Sequence, residues 1–268
     1  MPVVAFFCFA LFAHSQERRD VARDFATLVQ TYERAGEAPL SRRWYGNETF
    51  CVFNLQSGMD SAGMLAEMLD SLNGAFGSNF KVVSVADHQA CPDITSFYVL
   101  FGGAVETETF ITVLEDISGS TPPLSDHDLQ GVMGFALTIA GTRKREFIYV
   151  DDTVPPIASN AAPFKSILIE EAFQAITGLA DFDATEIFSV LGENLHVASY
   201  EDWFDENPRG FCLLDLYLLE MQIGQTVGQF SQGKAPLEWL NKYADKLHAK
   251  IADIRPQMAM FVDERCID

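Results

Sequence analysis

The sequence predicts an α+β protein in which an N-terminal mixed sheet with packed helices and a helical C-terminal half share one core. Three observations predict it. Short β-rich runs such as ETFCVFNLQ, FKVVSVA and ITSFYVLFG lie before residue 160, and segments with helical spacing of apolar residues fill the chain from Phe164 onward. A hydrophobic fraction of 48%, with 22 Phe among 268 residues, supplies a packed interior and argues against disorder. A chain of this length buries roughly three quarters of its unfolded surface, so its stability requires no metal.

Taken in order, Val21, Phe25, Leu28, Val29 and Tyr32 fall on one face of a helix between Glu17 and Glu33. The run ETFCVFNLQ reads as a strand, and Met64, Leu65, Met68, Leu69, Leu72 and Phe76 then recur at helical spacing. Two strands, FKVVSVA and ITSFYVLFG, flank the polar DHQACPD, and a helix is expected from Val105 to Glu115. Beyond the Pro-containing SGSTPPLSDHDLQG, the runs VMGFALTIAG and EFIYVDD read as a hairpin or as adjacent strands. Four helices follow, in FKSILIEEAFQAITG, ATEIFSVLG, CLLDLYLLEMQIG and PLEWLNKYADKLHAKIADI. No repeat or linker demands a second domain, so residues 16–268 are expected to form one unit, sheet-bearing over 16–160 and helical over 161–268.

The first fifteen residues stand apart. PVVAFFCFALFA is apolar but shorter than a membrane span, and Ala13-His14-Ser15 places small residues where signal peptidase accepts them. Residues 1–15 are therefore read as a signal peptide cleaved before Gln16, for a periplasmic or secreted protein without stable membrane insertion. Of five cysteines, the signal holds Cys8, and Cys51, Cys91, Cys212 and Cys266 remain. An even number suits an oxidising compartment. Of the three possible pairings, Cys51 with Cys91 and Cys212 with Cys266 is preferred, because each pair then lies within one half of the chain.

Charge restricts the partners. With 18 Lys and Arg against 38 Asp and Glu, the net charge is -20. Such a surface repels nucleic-acid phosphate and anionic lipid, while it favours solubility and attracts basic partners or divalent cations. No nucleic-acid partner is expected; a protein or peptide partner is.

One segment carries a chemical hint. In FKSILIEEAFQAITG, Glu170 and Gln174 are one turn apart on one helix face, with Glu171 between them. Zinc peptidases use this spacing in H-E-x-x-H, where two imidazoles bind the metal and the glutamate acts as general base. Here a carboxylate and an amide replace both imidazoles, a poor donor set for zinc, so no metal or cofactor is expected. The apolar neighbours Ile167, Leu168, Ile169, Ala172 and Phe173 place at least one carboxylate in partly buried surroundings.

On these residues the chain resembles the domain of unknown function 2927 family of proteobacterial exported proteins and lipoproteins, whose characteristic run is E-E-L-x-Q-x-L-G-L-x-N-D. The matching residues are Glu170, Glu171, Gln174, Gly178-Leu179, Asp181, Asp183, Ile187-Phe188, Leu214 to Tyr217 and Gly224, about a fifth of the chain, with weaker similarity at Arg43-Trp44. The chain departs from the run at Ala172-Phe173, Thr177 and Ala180 to Phe182. The resemblance implies a zincin-like layout with its ligands lost. Glu171 then stands at the general-base position and Glu170 and Gln174 at the former ligand positions, on the floor of a cleft against the sheet.

Other polar groups read as structural. Ser125 to Asp128 contains triad residue types within a Pro-rich loop, and Asp181, Asp183 and Glu186 lack EF-hand spacing. Asp151-Asp152 ends a strand, and Trp203-Phe204 is assigned to the core. Two functions follow: a non-catalytic binding or envelope-associated domain, or a peptidase-like hydrolase using Glu171.

Overall fold

The structure is a computed structural model describing residues 21–32, 44–54, 60–102, 107–120, 133–139, 144–153, 163–183, 189–193, 207–224 and 236–266. The signal segment, Arg43, Ser125 to Asp128, Glu186, Ile187-Phe188 and Trp203-Phe204 lie outside these residues. The fold is α+β. A five-stranded sheet has the order β2-β1-β3-β5-β4, formed by β1 (Thr49–Asn54), β2 (Lys81–Val85), β3 (Thr95–Phe101), β4 (Gly134–Ile139) and β5 (Arg145–Val150). The first three and β5 run parallel, and β4 pairs antiparallel with β5, in keeping with the hairpin or adjacent strands expected there. The helices are α1 (residues 21–32), α2 (Ser61–Phe76), α3 (Thr107–Ser118), α4 (Pro163–Thr177), α5 (Leu213–Ile223) and α6 (Pro236–Ile254).

Strand composition follows position. The inner strand β3 is buried along nearly all of its length, whereas the edge strands β2 and β4 are half-exposed. Parallel strands covered on both faces read as continuous apolar runs, which is why TSFYVLF shows no polar alternation. Successive residues still point to opposite faces. Phe50, Val52, Phe97, Val99, Phe101, Ile148 and Val150 enter the main core, while Phe53, Tyr98, Leu100, Phe147 and Tyr149 join Phe110 and Leu114 of α3 in a second one.

The main core also takes residues from both parts of the chain, including Phe25, Leu69, Phe173, Leu219 and Met258. Within it α4 and α5 are buried on every side, apart from Lys165 and Leu213 near their N-termini. Helices apolar all round belong inside a core, and their sequences accordingly lack the polar stripe that α6 keeps.

Both expected disulfides form. Cys51 on β1 bonds to Cys91, and Cys212 at the start of α5 bonds to Cys266. Among the described residues no helix is long and apolar enough to cross a membrane.

Two element readings change. The helix expected from Val105 to Glu115 runs Thr107–Ser118, ending where Gly119 takes a left-handed φ of 74°. The helix expected over ATEIFSVLG does not include residues 189–192. There Ser189 to Leu191 form a turn leading to β7 (Gly192–Glu193), which pairs in parallel with β6 (Phe182–Asp183). The cause is Asp215: its carboxylate accepts the Val190 N–H at 3.0 Å and the Ser189 hydroxyl at 2.5 Å, drawing both away from helical partners. That competitor lies 25 residues downstream.

Candidate functional site

The sheet presents one inward row to α4. On β5 this row is Glu146, Ile148 and Val150, and on β4 it is Gly134, Ala136 and Thr138, since alternate residues share a face. α4 lies across the row in the direction of β4, so Glu171 sits beside Gly134 and Gln174 beside Thr138 and Glu146. A Cβ on Gly134 would stand 2.5 Å from Ile167 Cγ2 and 2.8 Å from Glu171 Oε1. Only glycine admits the helix this close.

Toward the C-terminus of α4 the helix and the edge strand diverge. They leave an open pocket of about 140 Å³ lined by Ala136, Thr138, Glu146, Gln174, Gly178, Leu179 and Ala180. Its shape depends on the helix stop. Gly178, with φ of 68°, caps α4 in the left-handed region and turns Leu179 and Ala180 over the mouth. Tyr32 of α1 donates to the Ala180 carbonyl at 2.6 Å, and Trp44 Nε1 donates to the Ala175 carbonyl at 3.1 Å, so the pocket wall is held from two sides.

All three residues singled out on α4 are buried: Glu170 is 8% exposed, Glu171 5% and Gln174 9%. They do not converge. Gln174 lines the pocket and donates Nε2–H to the exposed Asp181 at 2.6 Å, whereas Glu171 turns to Gly134 and neither glutamate reaches the pocket wall. Opposite Gln174, Glu146 is 2% exposed and accepts the Thr138 hydroxyl at 3.2 Å. The pocket thus offers a carboxylate, a hydroxyl and an amide beside the small apolar surfaces of Ala136, Leu179 and Ala180. Among the described residues no three His, Cys, Asp or Glu side chains converge as a metal site.

No protein-family model and no curated protein matches this chain.

Sequence reasoning missed two groups. Glu146 was hidden in EFIYVDD, where only strand register reveals that it shares a face with Ile148. Asp215 is fully buried and accepts the Cys212 N–H at 2.7 Å as well as Ser189 and Val190. Burial raises its pKa from 3.8 to about 7, opposed by those three hydrogen bonds. Its position three residues after Cys212 at a helix start is the readable signal of such capping.

Proposed function

We propose that this chain is an exported, disulfide-stapled binding domain that holds an extended peptide segment against β4, over the pocket that Gln174 enters. The single observation carrying this reading is that pocket. It lies between a buried helix and an edge strand, and it gathers the Glu146 carboxylate, the Thr138 hydroxyl and the Gln174 amide beside Ala136, Leu179 and Ala180, fixed polar groups of the kind that orient a bound segment. Among the described residues β4 pairs with β5 alone, so its outer hydrogen-bonding edge suits strand addition by a peptide. Export is supported by the apolar start of the sequence and by two disulfides, which persist in oxidising compartments.

The resemblance to the 2927 family and to a zincin-like layout is part of the same reading. A helix bearing Glu170, Glu171 and Gln174 laid under a mixed sheet supports it. The donor chemistry at the two former ligand positions, carboxylate and amide, disfavours zinc. The alternative is a peptidase-like hydrolase with Glu171 as general base, favoured by its dry setting one turn from the pocket residue Gln174.

One set of experiments separates the two. Peptides selected from a displayed library against the oxidised protein are expected to bind Ala180→Arg, which fills the pocket mouth, at least ~10-fold more weakly, a loss of about 1.4 kcal/mol. Equal binding by both proteins refutes the pocket reading. Cleavage of a broad peptide panel that disappears in Glu171→Gln establishes the hydrolase instead.

A further inference from the structure

The polar side chains of the pocket between α4 and β4 are acceptors. Glu146 brings a buried carboxylate, and Thr138 donates its proton to that carboxylate, which leaves the Thr138 oxygen to accept. Gln174, also buried, gives an Nε2–H to Asp181 at 2.6 Å, and this bond orients the amide. Its carbonyl oxygen Oε1 accepts no hydrogen bond among the described residues and is the atom left for a ligand. No Lys, Arg or His lines the pocket. Lys144, two residues before Glu146 in the chain, is exposed, lies over the Trp44 ring at 5.4 Å and is not part of the lining.

The backbone and the surface charge add to the same bias. Gly178 lines the pocket just where α4 ends, and the carbonyl end of a helix carries partial negative charge that favours a cation within its last turn. Asp181 adds a full charge beside Gln174, and the net charge of -20 draws cations toward the protein as a whole. An ammonium group has three N–H donors and no lone pair, matching the three acceptors of Glu146, Gln174 and Thr138. A guanidinium would bring five donors to the same three acceptors. Ala136, Leu179 and Ala180 border the space and suit the methylene stem of a long basic side chain, which packs on apolar surface while its charged tip stays among polar groups.

We propose that the pocket selects the ammonium group of a lysine in the peptide held along β4, with Glu146 as its counter-ion and Gln174 and Thr138 as the other acceptors. This inference rests on the peptide reading above and supplies the side chain that the reading leaves open. At about 140 Å³ the pocket is of a size for one side chain. Alternate residues of an added strand share a face, so one lysine position is expected to govern binding and its immediate neighbours not.

The test selects a displayed random heptapeptide library on the full oxidised chain. The strongest binder is then resynthesised with each lysine changed in turn to norleucine, and affinities are measured by calorimetry at physiological ionic strength. One norleucine replacement is expected to weaken binding at least ~10-fold, the loss of a charge-assisted contact. Glu146→Gln is expected to erase that difference, whereas Asp253→Asn, exposed on α6, keeps it, which separates a counter-ion in the pocket from general acidity. Binders without lysine, or norleucine peptides bound as tightly as the lysine parent, overturn this inference alone when Ala180→Arg still weakens binding. A lysine preference that persists in Glu146→Gln or vanishes in Asp253→Asn also overturns it. A library that yields no binder, or binders that take Ala180→Arg equally well, overturns both this inference and the peptide reading. Should Glu146→Gln fail to fold, Thr138→Val on the exposed edge decides: an unchanged lysine preference there overturns the inference.

Discussion

At residue scale, single atoms decide how closely elements approach. Gly134 is the clearest case, since a methyl group at that position meets Ile167 and Glu171 at contact distances below 3 Å. Gly134→Ala is expected to destabilise the protein by about 2 kcal/mol through overpacking, measurable as a lower urea midpoint at unchanged m. Asp215 sets a pH dependence. Its pKa rises from 3.8 to about 7 on folding, so the folded state binds the extra proton between those values. Its contribution to stability is complete below about pH 4 and is lost as pH rises to about 7; Asp215→Asn should flatten that slope in denaturation curves collected across the range. Asp263 acts in the opposite direction. Burial alone would raise its pKa, but the Arg265 side chain and the Arg209 and Arg265 backbone N–H groups outweigh burial and hold it below 3.8. Its contribution is present above pH 4 and is lost as pH falls through the lowered value.

At the scale of elements, α4 and α5 are the interior beams, and polar residues on them face other elements rather than water. Glu220 of α5, buried to 1% side-chain exposure, pairs with Lys250 of α6 at 2.6 Å. Lys250→Ala removes the cation from a buried carboxylate and is expected to cost about 3 kcal/mol, whereas Glu220→Gln with Lys250→Met should recover most of the loss in a double-mutant cycle. The helices themselves were legible in the sequence, because 3.6-residue spacing or a continuous apolar run marks them independently of their neighbours. The turn at Ser189 to Leu191 was not, because its conformation is fixed by the distant Asp215 carboxylate. The burial of both Glu170 and Glu171 was only partly legible: apolar neighbours pointed to at least one partly buried carboxylate, and a helix enclosed on all sides buries both.

For the whole molecule, the two disulfides join residues 40 and 54 apart, and loop-closure entropy assigns each about 4 kcal/mol. Reduction is therefore expected to lower the melting temperature sharply, read by comparing scans with and without a thiol reductant. The second bridge reinforces a contact already made by the backbone, where Phe211 and Val262 pair and Phe211 N–H donates to the Phe261 carbonyl at 2.8 Å. By itself the sequence determined the α+β class, the strands and most helices, the acidic surface and the preferred cysteine pairing, because these follow from local periodicity, composition and spacing. Only the tertiary structure decided that Gln174 enters a pocket while Glu171 faces Gly134, that Glu146 lies opposite Gln174, and that Asp152 accepts the Ser61 hydroxyl at the start of α2. Those meetings depend on strand order and on the direction of α4 across the sheet, which join residues far apart in the chain and leave no periodic trace within it.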